Sequence, residues 1–169
     1  SSQSRMAVND LRHYLESRGV SVTNASAPGK GSYSACNSIG DDTLGHEDAA
    51  IVMLGANDRL RLSNVNDFTA AAESYLNRVA ARYGSQNVYV IANIDTLSDP
   101  RSLTMNQENA ALQQICRRHG WQYASLYSAF QTVGRTTGMP QQALYTDGIH
   151  PNRMGQEVMW RAMRQLLGL

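Results

Sequence analysis

Apolar residues follow two rhythms along this chain, a helical spacing in long segments and short unbroken runs between them. Met6, Leu11, Tyr14 and Leu15 form a stripe that predicts a helix from Met6 to Arg18, stopped at Gly19. A second stripe (Phe68, Ala72, Tyr75, Leu76, Val79 and Tyr83) predicts a helix from Asp67 to Tyr83. Thr104 followed by Gln107 is a capping-box pattern, opening a helix that turns Met105, Leu112, Ile115 and Cys116 inward and ends near Gly120. The last helix, Arg153 to Leu167, places Met154, Val158, Met159, Ala162, Met163, Leu166 and Leu167 on its core side, with Gly168 as its stop.

The unbroken runs have strand length. Ala49 to Leu54 (AAIVML) and Val88 to Ala92 (VYVIA) read as strands covered on both faces. Val20 to Asn24 and Trp121 to Leu126 read as two more. A loop rich in glycine and serine fills Ala25 to Gly45, and another containing Pro100 precedes the third helix. Strands alternating with helices predict an α/β domain with a mostly parallel sheet and helices on both faces. The chemistry of such sheets gathers at the carboxyl ends of the strands.

Composition narrows the function classes. The 169 residues fit one domain with a proper core, without repeats, low-complexity tracts or a linker. Net charge is +1 and the 15 basic residues are dispersed, so there is no electrostatic case for nucleic acid or an acidic membrane surface. Lys30 is the sole lysine, which reads as compositional bias. No run of 18 apolar residues exists, so no membrane-spanning helix is expected. Cys36 and Cys116 make no disulfide scaffold; Cys116 reads as a buried free thiol, with a bond to Cys36 as the alternative. The Asn24-Ala25-Ser26 sequon leaves the compartment open.

Three polar segments follow predicted strands or precede the last helix: Ala27-Pro28-Gly29-Lys30-Gly31, Gly55-Ala56-Asn57-Asp58 and Asp147-Gly148-Ile149-His150-Pro151-Asn152. Each has a plain structural reading, as strand-capping turn formers, as glycines at positive φ, or as an ordinary turn beside a surface histidine. One reaction uses all three. Acyl transfer to a serine needs a base, an acid that orients the base, and donors for the tetrahedral oxyanion. Asp147 and His150, three residues apart, suit the second and first roles. The Asn57 amide and the Gly29 N–H suit the third. Asp58 reads as a brace for the Asn57 turn.

The remaining candidates are weaker. His13 and His119 read as surface or packing residues. His46-Glu47-Asp48 has no second histidine at ligand spacing. Gly29-Lys30-Gly31-Ser32 lacks the frame of a phosphate-binding loop. Arg59 and Arg61 either line a cleft or are solvated.

The Gly55-x-Asn57-Asp58 and Asp147-x-x-His150-Pro151 blocks resemble two signature blocks of the SGNH (GDSL-type) hydrolases. The stretch from Asn24 to Gly29 resembles that family's glycine block, with Gly29 in the oxyanion position. The resemblance implies a flavodoxin-like three-layer α/β/α fold over residues 1–169. It also implies a serine esterase acting without metal or cofactor on an acyl ester of a small molecule, carbohydrate or lipid. The family opens with a buried strand running into Gly-Asp-Ser. Here Ser1-Ser2-Gln3-Ser4 stands immediately before the first helix, so the resemblance makes Ser2 the nucleophile, with Ser4 and Ser1 as alternatives. It leaves the first strand unaccounted for, and an upstream segment or separate chain is expected to complete the sheet, because a missing strand would expose unpaired edges. Two other readings stay open: a non-catalytic carbohydrate-binding or assembly module of the same fold, and an acyltransferase.

Overall fold

The computed structural model describes residues 4–25, 31–97 and 101–168, and for residues 4–10 the backbone alone. Ser2 and Gly29 lie outside the described residues. The chain divides into two compact units, residues 26–93 with 101–124, and residues 1–25, 94–100 and 125–169.

The first unit holds the sheet. Strands β1 (Ala50–Val52), β2 (Val88–Ala92) and β3 (Gln122–Ser125, whose last residue is assigned to the other unit) lie in the order β1-β2-β3. β1 and β2 run parallel, with Ala50 opposite Val88 and Val52 opposite Val90. Helices α2 (Tyr33–Cys36), α3 (Val65–Tyr83) and α4 (Met105–His119) complete it. α3 and α4 pack against β2 and against each other. Val88, Val90 and Ala92, two residues apart along β2, share one face and are fully buried in a core with Phe68, Leu76 and Ile115.

Helix ends follow their capping residues. Asn64 Oδ1 accepts the Asp67 N–H at 2.9 Å at the start of α3. The Thr104–Gln107 capping box forms at the start of α4, and Gly120 closes that helix in the left-handed conformation.

Outside the end of β3, the second unit is built mainly of helices among its described residues. α1 (Ser4–Ser17) and α5 (Leu126–Thr137) both pack on α6 (Arg153–Leu167). The Tyr14 ring meets Trp160 edge-on at 5.5 Å, and Phe130 meets Tyr145 in the same way at 5.5 Å.

Four expectations need correction. Val20 to Asn24 is not a strand: Gly19 (φ 79) reverses the chain after α1, the Val20 N–H returns to the Leu15 carbonyl at 3.0 Å, and Val20 is exposed. Residues 126–137, not predicted as helical, form α5, capped by the Ser125 side chain. The loop from Ala25 to Gly45 contains α2. Met154, placed by its spacing on the core side, is exposed, because the stripe of α6 centres on Gly155, Met159 and Met163. Cys36 and Cys116 are not joined by a disulfide. No helix among the described residues is long and apolar enough to cross a membrane.

Candidate active site

The loop from Tyr145 to Asn152 is a closed, heavily bonded structure within its unit. Tyr145 and Pro151 form an antiparallel bridge, the Asn152 N–H donates to the Leu144 carbonyl at 2.9 Å, and the Thr146 N–H donates to the His150 carbonyl at 2.8 Å. Asn152 serves both sides of this junction. Its amide Nδ2 donates to the Ala143 carbonyl at 2.7 Å and to the Tyr145 carbonyl at 3.3 Å, while its Oδ1 accepts the Gly155 N–H and caps α6. The Leu97 N–H reaches the Gly148 carbonyl at 2.7 Å, and the Tyr145 hydroxyl donates to the Asp95 carbonyl at 3.0 Å.

Inside this frame Asp147 and His150 face each other. Asp147 Oδ1 accepts the N–H groups of Ile149 (2.9 Å) and His150 (2.7 Å), which fixes the carboxyl plane. Its Oδ2 lies 2.7 Å from His150 Nδ1. The His150 ring, and then the two backbone N–H groups, hold the Asp147 carboxyl well below the usual carboxylate range. A carboxylate at Nδ1 selects the tautomer with its proton on that nitrogen, leaving the Nε2 lone pair to accept a proton. Both side chains are partly exposed, so the imidazole is reachable from solvent.

The Asn57 segment follows β1 in the other unit. Gly55 has φ 114, a conformation that disfavours any side chain, and a Cβ there would touch Glu108, Phe68 and Tyr33 at 3.5–3.6 Å. The Gly31 carbonyl accepts two N–H groups from this turn, Gly55 at 3.1 Å and Asn57 at 3.2 Å. Asn93 Nδ2 donates to the Leu54 carbonyl at 2.8 Å and ties the ends of β1 and β2 together. Asn57 itself is half-buried, and its Nδ2 lies near Gly31. Asp58 is fully buried and accepts the N–H groups of Tyr33 (2.7 Å) and Ser34 (3.0 Å), so it braces the turn against α2, as expected.

Arg59 is buried, while Arg61 is exposed, so the solvated alternative holds for Arg61 alone. His119 stacks on Trp121 at 4.5 Å and meets Glu73 Oε1 at 2.6 Å, a packing role. His13 is exposed. No group of three metal-ligating side chains occurs among the described residues. Sequence reasoning overlooked Glu108, buried behind Gly55; its position inside an amphipathic helix, on the face of Leu112 and Ile115, was the available signal.

No curated protein matches the chain by sequence. Among solved structures, it is similar to a mutant of Axe2, an acetyl-xylooligosaccharide esterase from Geobacillus, at TM-score 0.79 and 19% identity over 99% of this chain and 81% of that one. A catalytic mutant of Axe2, an acetylxylan esterase from Geobacillus stearothermophilus, gives TM-score 0.79 and 18% identity over the same shares. LAE5, an alpha/beta hydrolase from the metagenome of Lake Arreo, gives TM-score 0.77 and 17% identity over 97% of this chain and 80% of that one. Against a further Axe2 mutant the match falls to TM-score 0.61 and spans 61% of that chain. Likeness at this identity establishes the fold, a parallel α/β sheet flanked by helices. The profile of the GDSL-like Lipase/Acylhydrolase family matches residues 2–158. With nearly the whole length matched, the chain belongs to the GDSL-like lipase and acylhydrolase family.

Proposed function

We propose that the chain is a serine carboxylesterase that removes an acyl group, an acetyl ester on a carbohydrate being the substrate class favoured by its structural neighbours. The observation that carries the reading is the Asp147–His150 pair, in which an anionic carboxylate holds one ring nitrogen at 2.7 Å within a rigid loop. Catalytic mutants of Axe2 replace a serine, an aspartate and a histidine, the last two standing three residues apart as Asp147 and His150 do.

The reaction is a double displacement. His150 Nε2 takes the proton of the Ser2 hydroxyl as its oxygen attacks the ester carbonyl, and the carbonyl oxygen becomes the oxyanion. The Ser2 and Gly29 N–H groups and the Asn57 amide stabilise that charge, each donor being worth on the order of 10²–10³ in rate. Collapse breaks the ester C–O bond, and His150 returns the proton to the departing alcohol. Water, deprotonated by His150, then attacks the acyl carbonyl; the C–O bond to Ser2 breaks, the acid departs, and His150 returns the proton to the Ser2 oxygen. Asp147 keeps His150 in the productive tautomer and stabilises the imidazolium.

Hydrolysis of p-nitrophenyl acetate, together with labelling by a fluorophosphonate probe, tests the reading. Ser2→Ala is expected to abolish both turnover and labelling, and His150→Ala to abolish turnover with the melting temperature kept. Undiminished turnover in folded His150→Ala refutes the assignment. Failure of the active-site serine to label in an intact protein favours a binding module, and transfer to an added sugar in preference to water favours an acyltransferase.

A further inference from the structure

The turn carrying Asn57 rests on a carboxyl that the reaction above does not use. Glu108, on α4, is 1% exposed, and its Oε1 has no hydrogen-bond partner. Its Oε2 lies 3.5 Å from where a Gly55 Cβ would stand, so the carboxyl is packed directly under the start of the 55–58 turn. The groups facing it are Asp58 and Arg59 from the 3-10 turn (Asp58–Leu60) and Tyr33 from α2. Asp58 and Arg59 are themselves buried.

This is an interior with two carboxyls and one guanidinium. Asp58 accepts two backbone N–H bonds, which suit a carboxylate, whereas Glu108 Oε1 receives none. One negative charge balances Arg59, and a second would be buried without compensation, a costly state. Burial accordingly pushes the Glu108 carboxyl up to about 9, with Arg59 opposing and Asp58 reinforcing the rise.

We propose that Glu108 is a positioning residue that works as an uncharged acid, supporting the Gly55–Asp58 turn and thereby holding the Asn57 amide where the oxyanion forms. The proposal rests on the esterase reading for its effect on rate, but not for its effect on stability. Neutral Glu108 fits the turn; ionised Glu108 repels Asp58 and draws water beneath Gly55, so the turn loosens and Asn57 loses its aim. The folded-state value lies above the unfolded one, so the stabilisation is complete in acid and is lost as pH rises towards 9.

Glu108→Gln and Glu108→Ala, compared with the unaltered chain from pH 6 to pH 10, test it. Glu108→Gln keeps a polar side chain that cannot ionise. It is expected to retain kcat within about twofold at neutral pH and to lack the alkaline fall in kcat near pH 9. Glu108→Ala is expected to lose about tenfold or more in kcat with KM little changed, as for a donor needed only in the transition state. The melting temperature of Glu108→Gln should exceed that of the unaltered chain by a margin that grows with pH. A Glu108→Gln profile that keeps the alkaline fall overturns the proposal while leaving the esterase intact. Absence of hydrolysis in the unaltered chain sinks the esterase reading instead, and the melting series then decides whether Glu108 is neutral, an unchanging margin overturning that too. Should Glu108→Ala not fold, the glutamine variant carries both readouts.

Discussion

Gly155→Ala is expected to damage the chain through packing alone, without removing any reacting group. Gly155 occupies the first turn of α6, where a Cβ would overlap the Leu144 carbonyl oxygen and sit 3.1 Å from Pro151 Cβ and 3.2 Å from Phe130 Cζ. Leu144 and Phe130 are each 1% exposed, so neither has room to withdraw. The threatened carbonyl accepts the Asn152 N–H at 2.9 Å, and Asn152 caps the same helix through the Gly155 N–H at 3.1 Å. Overpacking of this kind costs about 1–3 kcal/mol. Loosening the cap and the carbonyl bond adds about 1 kcal/mol each. The helix preference of alanine over glycine returns about 1 kcal/mol. The net loss is about 2–4 kcal/mol, a fall in melting temperature of roughly 5–15 °C for a chain of this size. Because Asn152 follows His150 by two residues, kcat should fall as well, by more than the unfolded fraction explains. Thermal denaturation at pH 7 with parallel turnover of p-nitrophenyl acetate measures both. A melting temperature within about 1 °C of the unaltered chain, with kcat unchanged, refutes the packing argument.

Two other outcomes are expected. Asp147→Asn keeps an oxygen for the Ile149 and His150 N–H groups but loses the charge that selects the imidazole tautomer. It should melt within about 2 °C of the unaltered chain while losing on the order of 10³–10⁴ in kcat, and a loss below tenfold contradicts the orienting role. Cys36 and Cys116 are not joined by a disulfide, so a reductant should leave the melting temperature unchanged; burial pushes the Cys116 thiol up to about 12, which makes it unreactive in the folded chain. Thiol titration should find Cys116 reactive after unfolding; a drop of several degrees with reductant would show a disulfide instead.

Much of the fold and half of the candidate site can be read from residue order because the signals are local. The Thr104–Gln107 box, the stripes of α3 and α4 and the runs of β1 and β2 need neighbours no more than a turn or two away. The Asp147–His150 pair belongs here too, since three residues of loop suffice to bring a carboxyl onto an imidazole. α5 escaped because Thr132, Val133, Gly134, Thr136 and Thr137 are poor helix formers; packing on α6 offsets that weakness, while the Thr136 and Thr137 hydroxyls are satisfied by carbonyls of the preceding turn. The stretch at Val20 to Asn24 had strand composition but pairs with no strand among the described residues, and composition cannot supply a partner.

Sequence by itself thus determined most of the alternation of helices and strands, the blocks that mark the family, and the pairing of Asp147 with His150, since each is written in residues within a few positions of one another. Tertiary structure alone decided that Asp58 is a buried brace on α2, that Arg59 is interior, that Gly155 has no space for a methyl group, and that Glu108 lies under Gly55. Those facts depend on segments tens of residues apart being pressed together, where the cost of burying a charge or an atom is set by what surrounds it.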